Sequence, residues 1–357
     1  MRSLTVLVPG PLAARSGGSI YDRHIVDGLR ARGWSIDVRE LDASFPVPTA
    51  TALRNAAGIL ASCRDGERVL ADGLAFGAMP CEVADEARRL RFIALVHLPL
   101  AAAIGLDRAS AQRLEASERR ALACAAAVVA TGKATVAALE RVYGVALDRV
   151  TLIEPGTDCA GLARGSRDAR LALLCAAAVT AGKGHDVLVQ ALAPLRGLDW
   201  QLTCAGSLER DPSTVGGVRA LVRDLGLDDR VFFTGELDAA ALAAQLDAAD
   251  LFVLAPRHET YCMAVAEALA HGLPVVATET GAIPDLVAGG DRPAGLLAQP
   301  GDVRALSEAL RRVISDPELR SQLACGARSA RERLGRWDTA VERFEHVLSR
   351  IDEPTPR

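Results

Sequence analysis

Two glutamates, Glu259 and Glu267, stand eight residues apart just after an apolar run, Leu251–Ala255, that reads as a buried strand. The helical pattern Tyr261–His271 places Glu259 near a helix N-terminus, where a carboxylate is favoured. Glu267 lies among Val265, Ala266, Ala268 and Leu269 and reads as buried. Eight helical residues span about 12 Å, more than the roughly 5–9.5 Å between paired glycosidase carboxylates. The spacing therefore suits holding separate parts of one elongated ligand. Carboxylates accept hydrogen bonds from hydroxyls, so sugar and ribose are the fitting partners. The plainer alternative is a helix cap plus a solvated glutamate.

Of 41 basic residues only two are lysine, Lys133 and Lys183. Lys183 sits between Gly182 and Gly184, after the apolar run Leu171–Ala177 and before the helical pattern Asp186–Leu192. Backbone N–H groups and the helix dipole favour an anion at such a turn, and a point positive charge completes the site; the alternative is a solvated turn lysine. The turn is not a nucleotide-triphosphate P-loop, because Gly184 and Ala177 occupy positions that need Ser/Thr and Gly. Gly17 and Gly18 follow the first apolar run and precede a helix, where the backbone could approach a phosphate closely or form an ordinary tight turn. His97 ends the run beginning at Phe92 and could donate or accept one hydrogen bond, or be a satisfied structural histidine. Asp72, after Arg68–Ala71, reads as lining a site or as an Asx turn.

These residues need elements to hold them. Short apolar runs alternate with amphipathic stretches: Leu4–Val8, Ser35–Glu40, Arg68–Ala71, Phe92–Leu98, Ala127–Thr131 and Val150–Ile153, then Leu171–Ala177, Trp200–Ala205, Val231–Thr234, Leu251–Ala255, Pro274–Thr278 and Gly295–Ala298. Runs apolar on both faces suit parallel strands covered by helices, so the expectation is α/β, two doubly wound Rossmann-like domains. The boundary falls near Pro155–Asp158 and the polar stretch Arg164–Asp168, giving domains 1–157 and 158–336. In such sheets ligands bind beyond the carboxyl ends of the strands. The tail 352–357 reads as frayed.

The composition excludes several classes. Half of the 357 residues are hydrophobic, which argues against wholesale disorder. A net charge of -4 leaves no basic excess for a nucleic-acid partner. No run of roughly 18 apolar residues offers a membrane span, and Leu4–Pro9 is too short for a secretory core. The chain reads as cytoplasmic; peripheral contact with a membrane surface needs no such run and stays open. None of the eight cysteines falls in a C-x-x-C pair, and they read as small buried thiols in a reducing compartment.

The glutamate pair, with Ala268–Thr278 and Gly281–Asp285 after it, resembles the retaining glycosyltransferases of the GT4 type, which have the GT-B fold. Arg15–Tyr21 and Leu29–Trp34, Val96–Leu100, Val128–Thr131, Glu154–Asp158, Gly182–Asp186 and Phe233–Glu236 extend the resemblance through most of the chain. It implies two domains across a cleft, with the segment 337–351 packing back on the first. It also implies a nucleotide-diphosphate sugar as donor, no cofactor, and an acceptor that is a small molecule, glycan or lipid. By position, Glu267 would hold the nucleotide ribose, Glu259 the donor sugar and Lys183 the diphosphate. Gly17 and Gly18 would face the diphosphate and transferred sugar, His97 the sugar near its reacting carbon, and Glu236 would lie by the base. No Asp-x-Asp sequence occurs, so no metal is implied. The chain departs from the family at Ala178 and Gly182, where relatives carry an arginine, and at Cys262, Ala282 and Ala103. Alternatives are a nucleotide-sugar epimerase or phosphorylase of the same shape, and a non-catalytic nucleotide-sugar-binding subunit.

Overall fold

The computed structural model describes residues 2–166, 170–288 and 292–351. It divides into two compact units, Met1–Gly156 with Gly335–Arg357, and Thr157–Leu334. The tail 352–357 and part of the stretch 164–168 lie outside the described residues.

The first unit holds β1 (Ser3–Pro9), β2 (Ser35–Leu41), β3 (Arg68–Asp72), β4 (Arg91–Val96), β5 (Ala127–Ala130) and β6 (Val150–Leu152) in the order β2-β1-β3-β4-β5-β6. The second holds β7 (Leu171–Ala176), β8 (Trp200–Ala205), β9 (Val231–Gly235), β10 (Leu251–Leu254), β11 (Val275–Thr278) and β12 (Gly295–Ala298) in the order β12-β11-β10-β7-β8-β9. All pairings are parallel. The central strands are apolar because helices cover both faces: Val69, Phe92, Ile93, Val129, Phe252, Val253 and Val276 are all fully buried.

The two orders are the two common doubly wound types. The chain reverses direction of travel between β1 and β3 in the first unit and between β7 and β10 in the second. At these switch points the loops beyond adjacent strand ends diverge and leave a crevice. Asp72 ends β3, His97 follows β4, Lys183 follows β7 and Glu259 follows β10.

The final helix, Trp337–Arg350, belongs to the first unit. Its apolar face, Ala340, Val341, Phe344, Val347 and Leu348, packs with Tyr21, Ile25, Val26 and Leu29 of the helix Gly17–Ala31. Gly28 is the contact point, since a side chain there would collide with Val341. Glu345 accepts from the Trp34 indole at 2.9 Å and pairs with Arg32 at 3.0 Å.

The cysteine expectation is corrected in part. All eight are free thiols, but only Cys175, Cys204 and Cys262 are buried, whereas Cys81 and Cys159 are exposed. Cys81 stands between Pro80 and Glu82 and Cys159 between Asp158 and Ala160, outside the apolar runs that bury the other three. Among the described residues no helix is long and apolar enough to cross a membrane.

Candidate functional site

The second unit builds its site on the loop after β7. Ala181–Lys183 forms a single 3-10 turn, and Gly184 then takes φ +65° before the helix His185–Leu192 begins. Only glycine fits there, because a side chain would strike the carbonyl oxygen of Ala255. Lys183 Nζ is ion-paired with Glu259 Oε1. Burial works against its charge, but Glu259 outweighs it and holds the ammonium above its ordinary range. Lys183 is thus cationic, with a carboxylate occupying its anion-binding direction.

The helix begins two residues later than the pattern Tyr261–His271, which moves Glu259 away from its N-terminus. The helix runs Met263–Ala270, so Glu259 lies four residues upstream in the loop. Its backbone N–H donates to Thr280 Oγ1 at 3.1 Å. Cys262 explains the delayed start: it adopts φ +73°, the one non-glycine residue in the left-handed region among the described residues. A reversed residue at the N-cap turns the chain before the helix can begin. Burial, then Glu259, pushes its thiol well up, so it is a neutral packing group. Glu267 is on the helix as expected. Burial first, then Asp158, raises its carboxyl to about 7.

Arg257 is a residue of this site that sequence reasoning missed. Its guanidinium grips Asp186 with two bonds, Nη1–Oδ1 at 2.9 Å and Nη2–Oδ2 at 2.6 Å. It also donates to Ala181 O at 2.7 Å, while its backbone N–H donates to Gly182 O at 2.8 Å. An arginine from the loop after β10 therefore braces the lysine turn, although the turn itself carries none. The replacement at Ala282 is also accounted for. Gly281 alone takes positive φ, +58°, and packs against the Glu259 and Thr260 carbonyls. Ala282 needs only its N–H, which donates to Thr260 O at 3.0 Å.

Glu236 follows β9 with its side chain exposed, 3.9 Å from Arg210. It joins no tight cluster.

In the first unit, Gly17 and Gly18 are the first residues of the helix Gly17–Ala31 rather than a loop before it, because Ser16 caps it by accepting from Ser19 N at 3.0 Å. Gly18 lies against the His97 ring, and an added Cβ would stand 3.2 Å from His97 Cδ2. His97 Nε2 is 3.0 Å from Asp22 Oδ1 and 3.6 Å from Asp72 Oδ2. Burial disfavours the imidazolium, yet Asp22 and Asp72 together outweigh it and raise the His97 pKa. Asp72 is pushed up to about 7 by burial and by Asp22. Its Oδ1 also accepts from Leu74 N at 2.7 Å, so it caps a short turn as well. One carboxylate oxygen each of Asp22 and Asp72 and a ring nitrogen of His97 all lie within 4.8 Å of one another.

Residues 164–330 match the family described as Glycosyl transferases group 1. The second unit is a GT4-type glycosyltransferase domain. The chain is 32% identical over 255 residues to a D-inositol 3-phosphate glycosyltransferase of Xylanimonas cellulosilytica, covering 67% of this chain and 60% of that protein. It is 25% identical to an MMP alpha-(1->4)-mannosyltransferase of Mycolicibacterium hassiacum over 89% of this chain and 80% of the relative. The chain thus spans about 60% of the length of the first of these curated relatives. Among solved structures, sucrose-phosphate synthase from Thermosynechococcus elongatus superposes with a TM-score of 0.83 at 21% identity, over 98% of this chain and 99% of that one. Anabaena Alr3699/HepE in complex with UDP-glucose superposes with a TM-score of 0.78 at 18% identity, again over 98% and 99%. These likenesses establish the GT-B fold of two Rossmann-like domains. Within this glycosyltransferase fold Lys183, Glu259 and Glu267 all belong to the second unit, and Gly17, Gly18 and His97 to the first.

Proposed function

We propose that the chain is a retaining glycosyltransferase that moves a sugar from a nucleotide-diphosphate sugar to an acceptor hydroxyl, in the cytoplasm and without a divalent metal. The observation that carries this reading is the charged Lys183 on its braced glycine turn, paired with Glu259 at the β7/β10 switch point. A donor diphosphate would displace Glu259 from the ammonium and free that carboxylate for the sugar hydroxyls. Glu267 would accept from the ribose. As the anomeric bond breaks, charge gathers on the departing diphosphate. Lys183 and the backbone N–H groups at Gly17 and Gly18 would stabilise that charge more than the ground state. The acceptor hydroxyl would enter on the face being vacated, so no carboxylate nucleophile is needed. His97 and Glu259 would position the sugar.

A uridine donor is the first to try, because the Anabaena neighbour is a complex with UDP-glucose. Phosphorylated polyols are the first acceptors, given the D-inositol 3-phosphate relatives. A thermal-shift panel of nucleotide sugars reads binding as a raised melting point. Lys183→Ala and Glu267→Ala are each expected to abolish the stabilisation given by the best donor; full retention in both would overturn the site. With donor and acceptor identified, an α-linked donor should yield an α-linked product by NMR, and EDTA should leave the rate unchanged. A sensor subunit would instead bind donor and release no nucleotide.

A further inference from the structure

Asp22, on the first helix, was not among the residues singled out from sequence, yet it makes the shorter contact to His97. Both Asp22 and Asp72 are about 4% exposed, among the few buried charged residues of the chain. Two carboxylates so close and so buried cannot both stay ionised beside a single cation. Burial, then the neighbouring Asp22, pushes Asp72 up to about 7, so Asp72 is the carboxyl that holds a proton, toward Asp22.

The ring has little freedom. Gly18 covers it near Cδ2, and Tyr21 meets it edge-on with centroids 5.2 Å apart. Tyr21 is itself pinned by donating to Ile153 O at 2.8 Å, and Thr131 and Thr135 hydroxyls stand 3.4 Å from the His97 carbonyl. Arg343 of the final helix acts on Tyr21. With Nε2 taken by the aspartates, no hydrogen bond among the described residues involves Nδ1, and the His97 side chain keeps 20% of its surface exposed.

We propose that Asp22 and Asp72 are positioning residues: they fasten His97 by Nε2 and keep a proton beneath it, so that its Nδ1–H faces outward as a donor to a substrate oxygen. The proposal rests on the glycosyl-transfer reading for the identity of that oxygen, a hydroxyl or ring oxygen of the transferred sugar. The holding of His97 itself does not depend on that reading. Asp22 supplies the negative charge that keeps the imidazole charged. Asp72, protonated, supplies a neutral partner to Asp22, which an asparagine can imitate.

The test pairs two variants with two readouts. His97 is titrated by NMR in ligand-free, isotope-labelled protein, and kcat and KM for the best donor are followed against pH. Asp22→Asn should lower the His97 midpoint by at least about one pH unit, and move the alkaline fall in kcat down with it. Its donor KM should change less than about threefold. Asp72→Asn, which keeps a neutral hydrogen-bonding partner for Asp22, should lose less kcat near pH 6 than Asp22→Asn and should lower the His97 midpoint less. An unchanged His97 midpoint in Asp22→Asn overturns the proposal, as does equal loss of kcat in both variants. So does a His97 titration that shifts on adding EDTA or Zn²⁺, since the three side chains would then be metal ligands. Wild-type protein that releases no nucleotide from any donor would sink the glycosyl-transfer reading, while the NMR titration would still decide the positioning roles.

Discussion

Cys262 carries a backbone strain that only its neighbours explain. A non-glycine residue in the left-handed region costs roughly 1–2 kcal/mol, and its buried side chain recovers part of that by packing. Comparing Cys262→Gly with Cys262→Ala separates the two, because both lose the thiol and only glycine relieves the strain. Cys262→Gly is expected to be about 1 kcal/mol more stable than Cys262→Ala by chemical denaturation. Glu267 offers a second residue-level test. Its folded pKa, about 7, lies above the ordinary carboxyl value of 4.5. The folded state therefore binds this proton more tightly. The stability contributed is full below about pH 4.5 and is lost as pH rises through about 7. Glu267→Gln should flatten that part of the stability–pH curve, read from urea midpoints between pH 4 and 8.

At the scale of elements, the lysine turn and the final helix are the two parts whose placement depends on distant chain. Arg257 lies in the loop after β10 and Asp186 in the first turn of the helix His185–Leu192, and their pairing holds the lysine turn. Arg257 depresses the Asp186 carboxyl below its usual range through the bidentate bond. Arg257→Ala is expected to weaken donor binding roughly 10-fold, in line with loss of a charged hydrogen bond of about 1.5–3 kcal/mol partly offset by exposure. Isothermal titration with the best donor checks it, and Arg257→Lys, a point charge without the fork, should restore little. In the final helix, Phe344 is fully buried. Phe344→Ala should cost about 3–5 kcal/mol, measured as a loss in the unfolding of the first unit. In the helices Ala50–Ser62 and Pro317–Arg331 alanine and arginine supply six of 13 and six of 15 residues, so the buried stripe has little contrast with the rest of the helix.

On the scale of the whole molecule, the two units differ in how they use the chain. The second is continuous, Thr157–Leu334, with one core cluster of its own. The first needs Gly335 onward to cover the face of the helix Gly17–Ala31. A fragment spanning 157–334 is expected to fold alone and keep a donor-dependent rise in melting temperature. A fragment ending at residue 156 should expose that apolar face and aggregate. Circular dichroism and light scattering of the two fragments check both outcomes.

Strand count, parallel pairing and the family were legible in the amino-acid sequence, because runs apolar on both faces and the order of short motifs are local properties. The glycine turn at Lys183 and the place of Glu267 on a helix were legible for the same reason: each depends on its immediate neighbours. What local pattern could not carry was decided by packing across the sheet. Arg257 reaches back to a turn 75 residues earlier, and Asp22 and Asp72 meet His97 from separate elements. The delayed helix start at Met263 belongs here too, because a reversed Cys262 is tolerated only where the folded surroundings hold it. Burial and charge pairing are sums over residues far apart in the chain, and they take their values only once the sheets have closed.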